Sequence, residues 1–222
     1  MKPMDQGRPS AVASCGGAGH VGREELRAYL AALLEVERFA DYSPNGLQVE
    51  GRATIARVVT GVTASLALLE AANAAQADAV LVHHGWFWKG DAPVITGMLR
   101  ARVAAALEAQ LNLFAYHLPL DAHPQFGNNV ALARHLGWPE PQQHFGRDGL
   151  GCITRLPRPQ PIGALADDIG RRLARAPQVI AEDLAREVSV IAWCTGAAQS
   201  MLGDAVAAGA QLFVSGEISE PT

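Results

Sequence analysis

The stretch RVVTGVTASLALLEAANAAQADAVLVHHG, residues 57–85, sets the fold class of this chain. Arg57–Thr63 is dense in β-branched residues, which fit a pleated, half-buried surface and predict a strand. A helix is expected over about 65–76, and Ala79–Val82 reads as a second buried strand. Strand, helix and strand within roughly 30 residues make a parallel crossover unit, which is nearly always right-handed. The fold class is therefore α/β.

The same grammar extends in both directions. Leu26, Leu30, Leu33 and Leu34 fall at helical spacing from Arg23 onward, with Glu and Arg between them. Asp41–Gly51 (DYSPNGLQVEG) carries Ser-Pro and Asn-Gly turn signals. Downstream, a helix is expected over about 94–110, a strand over Leu111–Tyr116, and a short helix over Asn128–Leu136 that Gly137 and Pro139 close. Prolines and glycines crowd residues 138–161, which predicts a linker. Beyond it, helices over about 161–174 and 197–208 flank a strand at Val188–Trp193, and Gln211–Val214 reads as the last strand.

Residues 188–217, VSVIAWCTGAAQSMLGDAVAAGAQLFVSGE, repeat the order of strand, Thr turn, helix and strand. Thr63–Val82 and Thr195–Val214 span the same distance, although any two crossover units look alike at this level. A duplicated unit would bring His83 and His84 to one side of a central cleft and Ser215 and Gly216 to the other. The expected organisation is a flexible leader over 1–22, a first α/β lobe over 23–137, a linker over 138–161 and a second lobe over 162–222. The two lobes are expected to be related, with mixed, largely parallel sheets.

Half of the chain, 49% of 222 residues, is hydrophobic, enough for the core of one large or two small domains. Residues 1 to about 20 are small and Gly-rich, without the apolar period that offsets the entropy of ordering. The formal charge of -4 and the absence of a Lys/Arg run argue against nucleic acid as a partner. No apolar stretch approaches the roughly 20 residues that span a bilayer, and no basic region precedes an apolar core at the start. Cys15, Cys152 and Cys194 are odd in number and lack metal-type spacing, which suits reduced thiols in a cytoplasm.

Chemistry concentrates where predicted strands end. Leu81-Val82-His83-His84-Gly85 puts two adjacent imidazoles at a strand exit, where ligands gather in open α/β sheets. Neighbouring side chains on a strand point to opposite faces, so the bland reading is one His bonded to backbone and one facing solvent. A turning backbone at the strand end instead lets both rings converge on a cation. Tyr116-His117-Leu118-Pro119-Leu120-Asp121 follows the next strand with a further imidazole and a carboxylate. Together the two exits offer a donor set suited to Zn, Fe or Mn. His117 is either a ligand or a group that orients Asp121, and the second role is favoured.

Weaker signals surround these. Trp193–Ser200 (WCTGAAQS) is a strand, a small-residue turn and a helix start whose backbone N–H groups are candidates to hold an anion. Cys194 reads as a buried structural thiol rather than a nucleophile. Trp86-Phe87-Trp88-Lys89 either covers a pocket and stacks on a ring or belongs to the core or a subunit contact. His20, His123, His135 and His144 read as surface residues.

Five motifs, DYSPNGLQVEG at 41–51, LVHHGWFWKG at 81–90, YHLPLDAHPQFGNN at 116–129, AWCTGAAQS at 192–200 and FVSGEISE at 213–220, resemble the dinuclear-metal-centre family known as GTP cyclohydrolase 1 type 2 homologues. The resemblance runs from about residue 23 to the last residue. It implies two related α/β lobes, a toroidal homohexamer, and two divalent metals in each subunit's cleft, with His83, His84 and Asp121 aligned with metal ligands. The family's remaining ligands come from a His-x-x-x-Glu motif beyond the segment matching FVSGEISE. This sequence stops at Pro221-Thr222, with no His after His144, so the resemblance implies a truncated or incomplete chain. A short metal loading and a bared apolar edge at Gln211–Val214 are then expected.

The leading functional expectation is a metal-dependent hydrolase of nucleotide-like substrates. A metal-dependent phosphoesterase is the nearest rival, and a metal-binding scaffold, adaptor or store is the alternative from another class. Its appeal is that a general base is hard to name beyond Glu217 and Glu220, and acidic residues near turns are commonly solvated. An incomplete fragment would fold poorly and hold no metal.

Overall fold

The computed structural model of the chain describes residues 19–222. Most of the expected leader lies outside the described residues, and its last two residues, Val21–Gly22, are a strand rather than a tail. In chain order the elements are β1 (Val21–Gly22), α1 (Arg23–Leu33), β2 (Gly46–Val49), β3 (Thr54–Ile55), β4 (Val58–Thr63), α2 (Leu66–Ala74), β5 (Ala79–His84) and α3 (Gly97–Glu108). They continue with β6 (Asn112–Ala115), α4 (Leu118–Ala122), α5 (Asn128–Leu136), β7 (Gln143–Phe145), β8 (Gly151–Pro161), α6 (Ile162–Arg172), β9 (Glu187–Cys194), α7 (Leu202–Ala207) and β10 (Leu212–Ser215).

The first main sheet has the order β2-β6-β5-β4, with β4, β5 and β6 parallel and β2 antiparallel. β5 is interior and apolar on both faces, as a parallel strand sandwiched by helices must be. Val80 and Val82 pack with Leu69, Ala72 and Ala106 under α2 and α3. Ala79 and Leu81 pack on the other side with Leu26, Leu30 and Leu34 of the α1 region. The leucine spacing of the first helix thus faces a core that includes Phe114 and Tyr116. Ser65 caps α2 by accepting from the Leu68 amide.

The second sheet has the order β10-β9-β8-β7, in which only β9 and β10 are parallel. Trp193, Ile191 and Cys152 lie against α5 and α6, and Ala192, Ile153 and Phe213 lie against α7 and Met201. The linker expected over 138–161 is corrected here, because that stretch builds β7 and the 11-residue β8. Pro157, Pro159 and Pro161 follow Arg155 at alternate positions, and the Arg155 N–H faces the β7 side, where it meets Gln142 rather than a ladder partner. Pro157 and Pro159 fall where the β8–β9 register is interrupted between Arg155 and Gln160, so they cost no ladder hydrogen bond there. The lobe boundary moves too, since α5, placed in the first lobe from sequence, packs Ala133 and Leu136 into the second core. Gly137, with φ of 67°, closes α5 in the left-handed region.

Two crossovers, β4–α2–β5 and β9–α7–β10, share a hydrogen-bond frame. Asp78 N donates to Arg57 O as Gln211 N donates to Val190 O, a shift of 211 - 78 = 133 residues. The same shift carries Ser65 N to Thr63 O onto Ala198 N to Gly196 O, Gln76 N to Asn73 O onto Gly209 N to Val206 O, and Ala77 N to Ala72 O onto Ala210 N to Ala205 O. Asp78 Oδ2 accepts from the amides of Ala56 and Arg57, and Gln211 Oε1 accepts from those of Ser189 and Val190. The lobes are related, but one residue out of step with the sequence pairing of Thr63 and Thr195. The counterparts of His83 and His84 are Gly216 and Glu217, not Ser215 and Gly216.

Candidate metal centre

β5 and β6 are adjacent and parallel, so both strands end on one side of the sheet and deliver the segments beyond them to one place. β5 ends in His83 and His84, and the chain leaving β6 supplies His117 and, from α4, the buried Asp121. The rings of His83 and His84 converge with centroids 4.5 Å apart, which sets aside the reading of one inward and one solvent-facing imidazole. His117 stands 5.0 Å from His83 and 5.7 Å from His84, centroid to centroid. One ring nitrogen from each of the three histidines lies within 4.8 Å of the other two. Asp121 Oδ1 is 3.7 Å from His83 Nε2.

Three of the four side chains, His83, His117 and Asp121, are held by hydrogen-bond partners. Backbone carbonyls only accept, so His83 Nδ1 donates to Tyr116 O at 3.1 Å and its Nε2 is the ring nitrogen turned toward Asp121. His117 Nδ1 donates to Asp41 Oδ1 at 2.8 Å, which leaves its Nε2 free to coordinate. Asp41 Oδ2 accepts from the Leu118 amide and from Asn45 Nδ2, both at 2.9 Å, while Asn45 Oδ1 takes the His117 amide at 2.7 Å. The turn at Asp41–Asn45 therefore grips His117 by ring and backbone together. Burial of Asp41 opposes its charge, yet the hydrogen bonds from His117, Asn45 and Leu118 outweigh it and hold the carboxyl at about 2.

The expectation that His117 orients Asp121 is corrected by these contacts. Asp121 Oδ1 is bonded instead by Asn128 Nδ2 at 2.7 Å, at the start of α5. Burial raises the Asp121 pKa, against the pull of His83 and the Asn128 bond. Burial also lowers that of His84, reinforced by the neighbouring His83 and His117 and opposed by Asp121. A buried carboxyl biased toward neutrality beside an imidazole biased against protonation is a polar cluster that a cation would complete. Gly127 is required at the bend into α5, because a Cβ there would run into the carbonyls of Asp121 and His123.

Asn129, the neighbour of Asn128, ties the start of α5 to the second lobe. Its Oδ1 accepts from the Thr195 amide at 2.8 Å, its Nδ2 donates to Leu150 O at 3.0 Å, and its own carbonyl accepts from Trp193 Nε1 at 3.0 Å. The expected anion-binding turn at 193–200 is accordingly altered, since the Thr195 amide is taken by Asn129 and the Ala198 amide by Gly196 O. Cys194 is no activated nucleophile: burial, with the Asp121 charge, pushes its thiol up to about 11. Burial likewise pushes Cys152 to about 12, with a smaller contribution from Cys194. The aromatic run divides its roles. Trp86 is buried with Nε1 donating to Ala64 O at 2.6 Å, whereas Trp88 stands against His84 and His117.

The mutually close group is His83, His84 and His117, and Asp121 stands beside it at 3.7 Å from His83. Asp41, Asn45, Asn128 and Asn129 were missed as site residues. The one local signal was a carboxylate opening a Ser-Pro turn, and nothing local says that it reaches a histidine 76 positions away. His135 and His144 are exposed, as expected, and His123 stacks on Phe126 away from the cluster. No helix among the described residues is long and apolar enough to cross a membrane. The histidine cluster has the donor type and spacing of a group that could hold a metal ion.

The family pattern of Duf34/NIF3 (NGG1p interacting factor 3) matches residues 21–222. A protein of Allochromatium vinosum named GTP cyclohydrolase 1 type 2 homolog is 44% identical over 198 residues, which are 89% of this chain and 78% of that protein. A Pseudomonas aeruginosa protein of the same name is 46% identical over 191 residues, covering 85% and 75%. The solved structure of protein ybgI, described as of unknown function, superposes with a TM-score of 0.85 at 44% identity over 90% of this chain and 80% of that one. A Thermus thermophilus structure gives a TM-score of 0.75 at 35% identity, covering 90% and 80%.

Proposed function

Since the chain belongs to the Duf34/NIF3 family, we propose that it binds divalent metal through His83, His84, His117 and Asp121 and hydrolyses nucleotide-like substrates there. The observation that carries this reading is the convergence of three imidazole nitrogens within 4.8 Å, with a buried carboxylate 3.7 Å from one of them. The relatives' shared name, GTP cyclohydrolase 1 type 2 homolog, supports a purine nucleotide as the substrate class. A divalent cation there would act as a Lewis acid toward water and toward the electrophilic carbon or phosphorus.

The chain's own groups prepare that chemistry. Asp41 fixes the tautomer and orientation of His117, and the Tyr116 carbonyl does the same for His83. Asn128 aims Asp121 and leaves its second oxygen available. A second cation and assembly into homohexamers belong to the same proposal.

A scaffold or metal store is favoured by one observation: Glu217 and Glu220, the candidate bases, are both exposed. Purified protein and His83→Ala, each with Mn or Zn, separate the readings when offered GTP and a generic phosphoester. Turnover that disappears in the variant supports the hydrolase. Metal uptake without turnover supports the scaffold, and absence of metal from wild type by elemental analysis overturns both.

A further inference from the structure

We infer that Trp88 forms one wall of the binding site and selects ligands carrying a planar heteroaromatic base. The inference rests on the metal-dependent reading of the His83 cluster. Trp88 meets His117 edge-to-face with centroids 5.0 Å apart at 83°, and His84 at 5.7 Å and 64°. It is the tryptophan that meets two of the proposed ligands, and it is half-buried rather than enclosed in the core.

Its placement is fixed from both sides. Trp86 anchors the preceding chain in the core through Ala64, and its amide is held by Gln48 Oε1 at 2.9 Å. Gly85 permits this, because a Cβ there would collide with the Gln48 side chain. On the other side, Lys89 N donates to Tyr42 O at 2.7 Å, and Tyr42 adjoins the Asp41 that holds His117. A tryptophan needed only to fill space has a dry core available two residues earlier, where Trp86 sits. Trp88 instead stands half-buried against two imidazoles of the polar cluster.

Every nucleobase has a π-face, and an aromatic platform binds it without reading its edges. Imidazole and carboxylate donors engage the cation, while the indole contacts the part of the ligand that the cation cannot. Sugar phosphates without a base gain nothing from that wall.

The test uses the full chain loaded with Mn. Calorimetry measures binding of GTP and of ribose 5-phosphate to wild type, Trp88→Leu and Trp88→Phe, with Mn stoichiometry as a separate readout. Trp88→Leu is expected to keep Mn, weaken GTP by about tenfold or more and leave ribose 5-phosphate unchanged, and Trp88→Phe to retain most of the GTP affinity. Equal weakening of both ligands, or of neither, overturns the inference while leaving the metal reading intact. Wild type without Mn uptake overturns the metal reading and this inference with it.

Discussion

The crossovers β4–α2–β5 and β9–α7–β10 share a frame shifted by 133 residues, down to the side chain that collects two amides, Asp78 in one and Gln211 in the other. Their strand ends differ: His83 and His84 in the first, Gly216 and Glu217 in the second. So do their neighbours. β5 is interior and flanked by β6, whose exit brings His117 and Asp121, whereas β10 is the outer strand of its sheet. The frame is therefore neutral to chemistry. In the first unit the donor types gather where the ends of β5 and β6 lie side by side; in the second, β9 and β10 end side by side at Cys194 and Ser215 without a histidine.

Perturbing matched positions breaks or sharpens this contrast. The largest difference is expected for Leu69→Ala, at 1% exposure under α2, against Leu202→Ala, its counterpart at 38%. The first should cost about 2–5 kcal/mol in urea unfolding and the second under about 1 kcal/mol, because only the first opens a core cavity. Next, His83→Ala should weaken Mn or Zn binding by about a hundredfold or more in metal titrations, while Glu217→Ala leaves it unchanged. Equal losses would mean that both strand ends serve one centre.

A smaller loss, about 10–100-fold in the same titration, is expected for Asp41→Ala, which frees the His117 ring without removing a donor. Asp41 itself stays ionised through neutral pH, because its hydrogen bonds hold the carboxyl at about 2. The smallest effect belongs to Gln211→Ala, about 1 kcal/mol by the same unfolding measurement, from amides returned to partly hydrated surroundings. Asp78→Ala should exceed it, since Asp78 also pairs with Arg52 at 2.9 Å.

The parallel crossovers, the first helix and the placing of His83 and His84 at a strand exit were legible because each is a local pattern: period, β-branching, or residue type at a strand end. Strand β8 was not, because proline count registers a missing N–H without saying which way that N–H would point. Only the interruption of the β9 ladder between Arg155 and Gln160, and the end of β7 pairing at Ile153, make those positions harmless. The role of His117 was misassigned for a related reason. Sequence proximity favoured Asp121, four residues on, but the helical turn of α4 directs that carboxylate to Asn128, and Asp41 arrives from 76 residues away.

By itself the sequence determined the elements and the donor types, since both follow from residue chemistry and short-range periodicity. The tertiary structure decided which donors meet, which partner holds each, and that α5 serves the second core rather than the first. Those outcomes depend on strand order and on side-chain direction across long chain separations, and a linear pattern of residue types encodes neither directly.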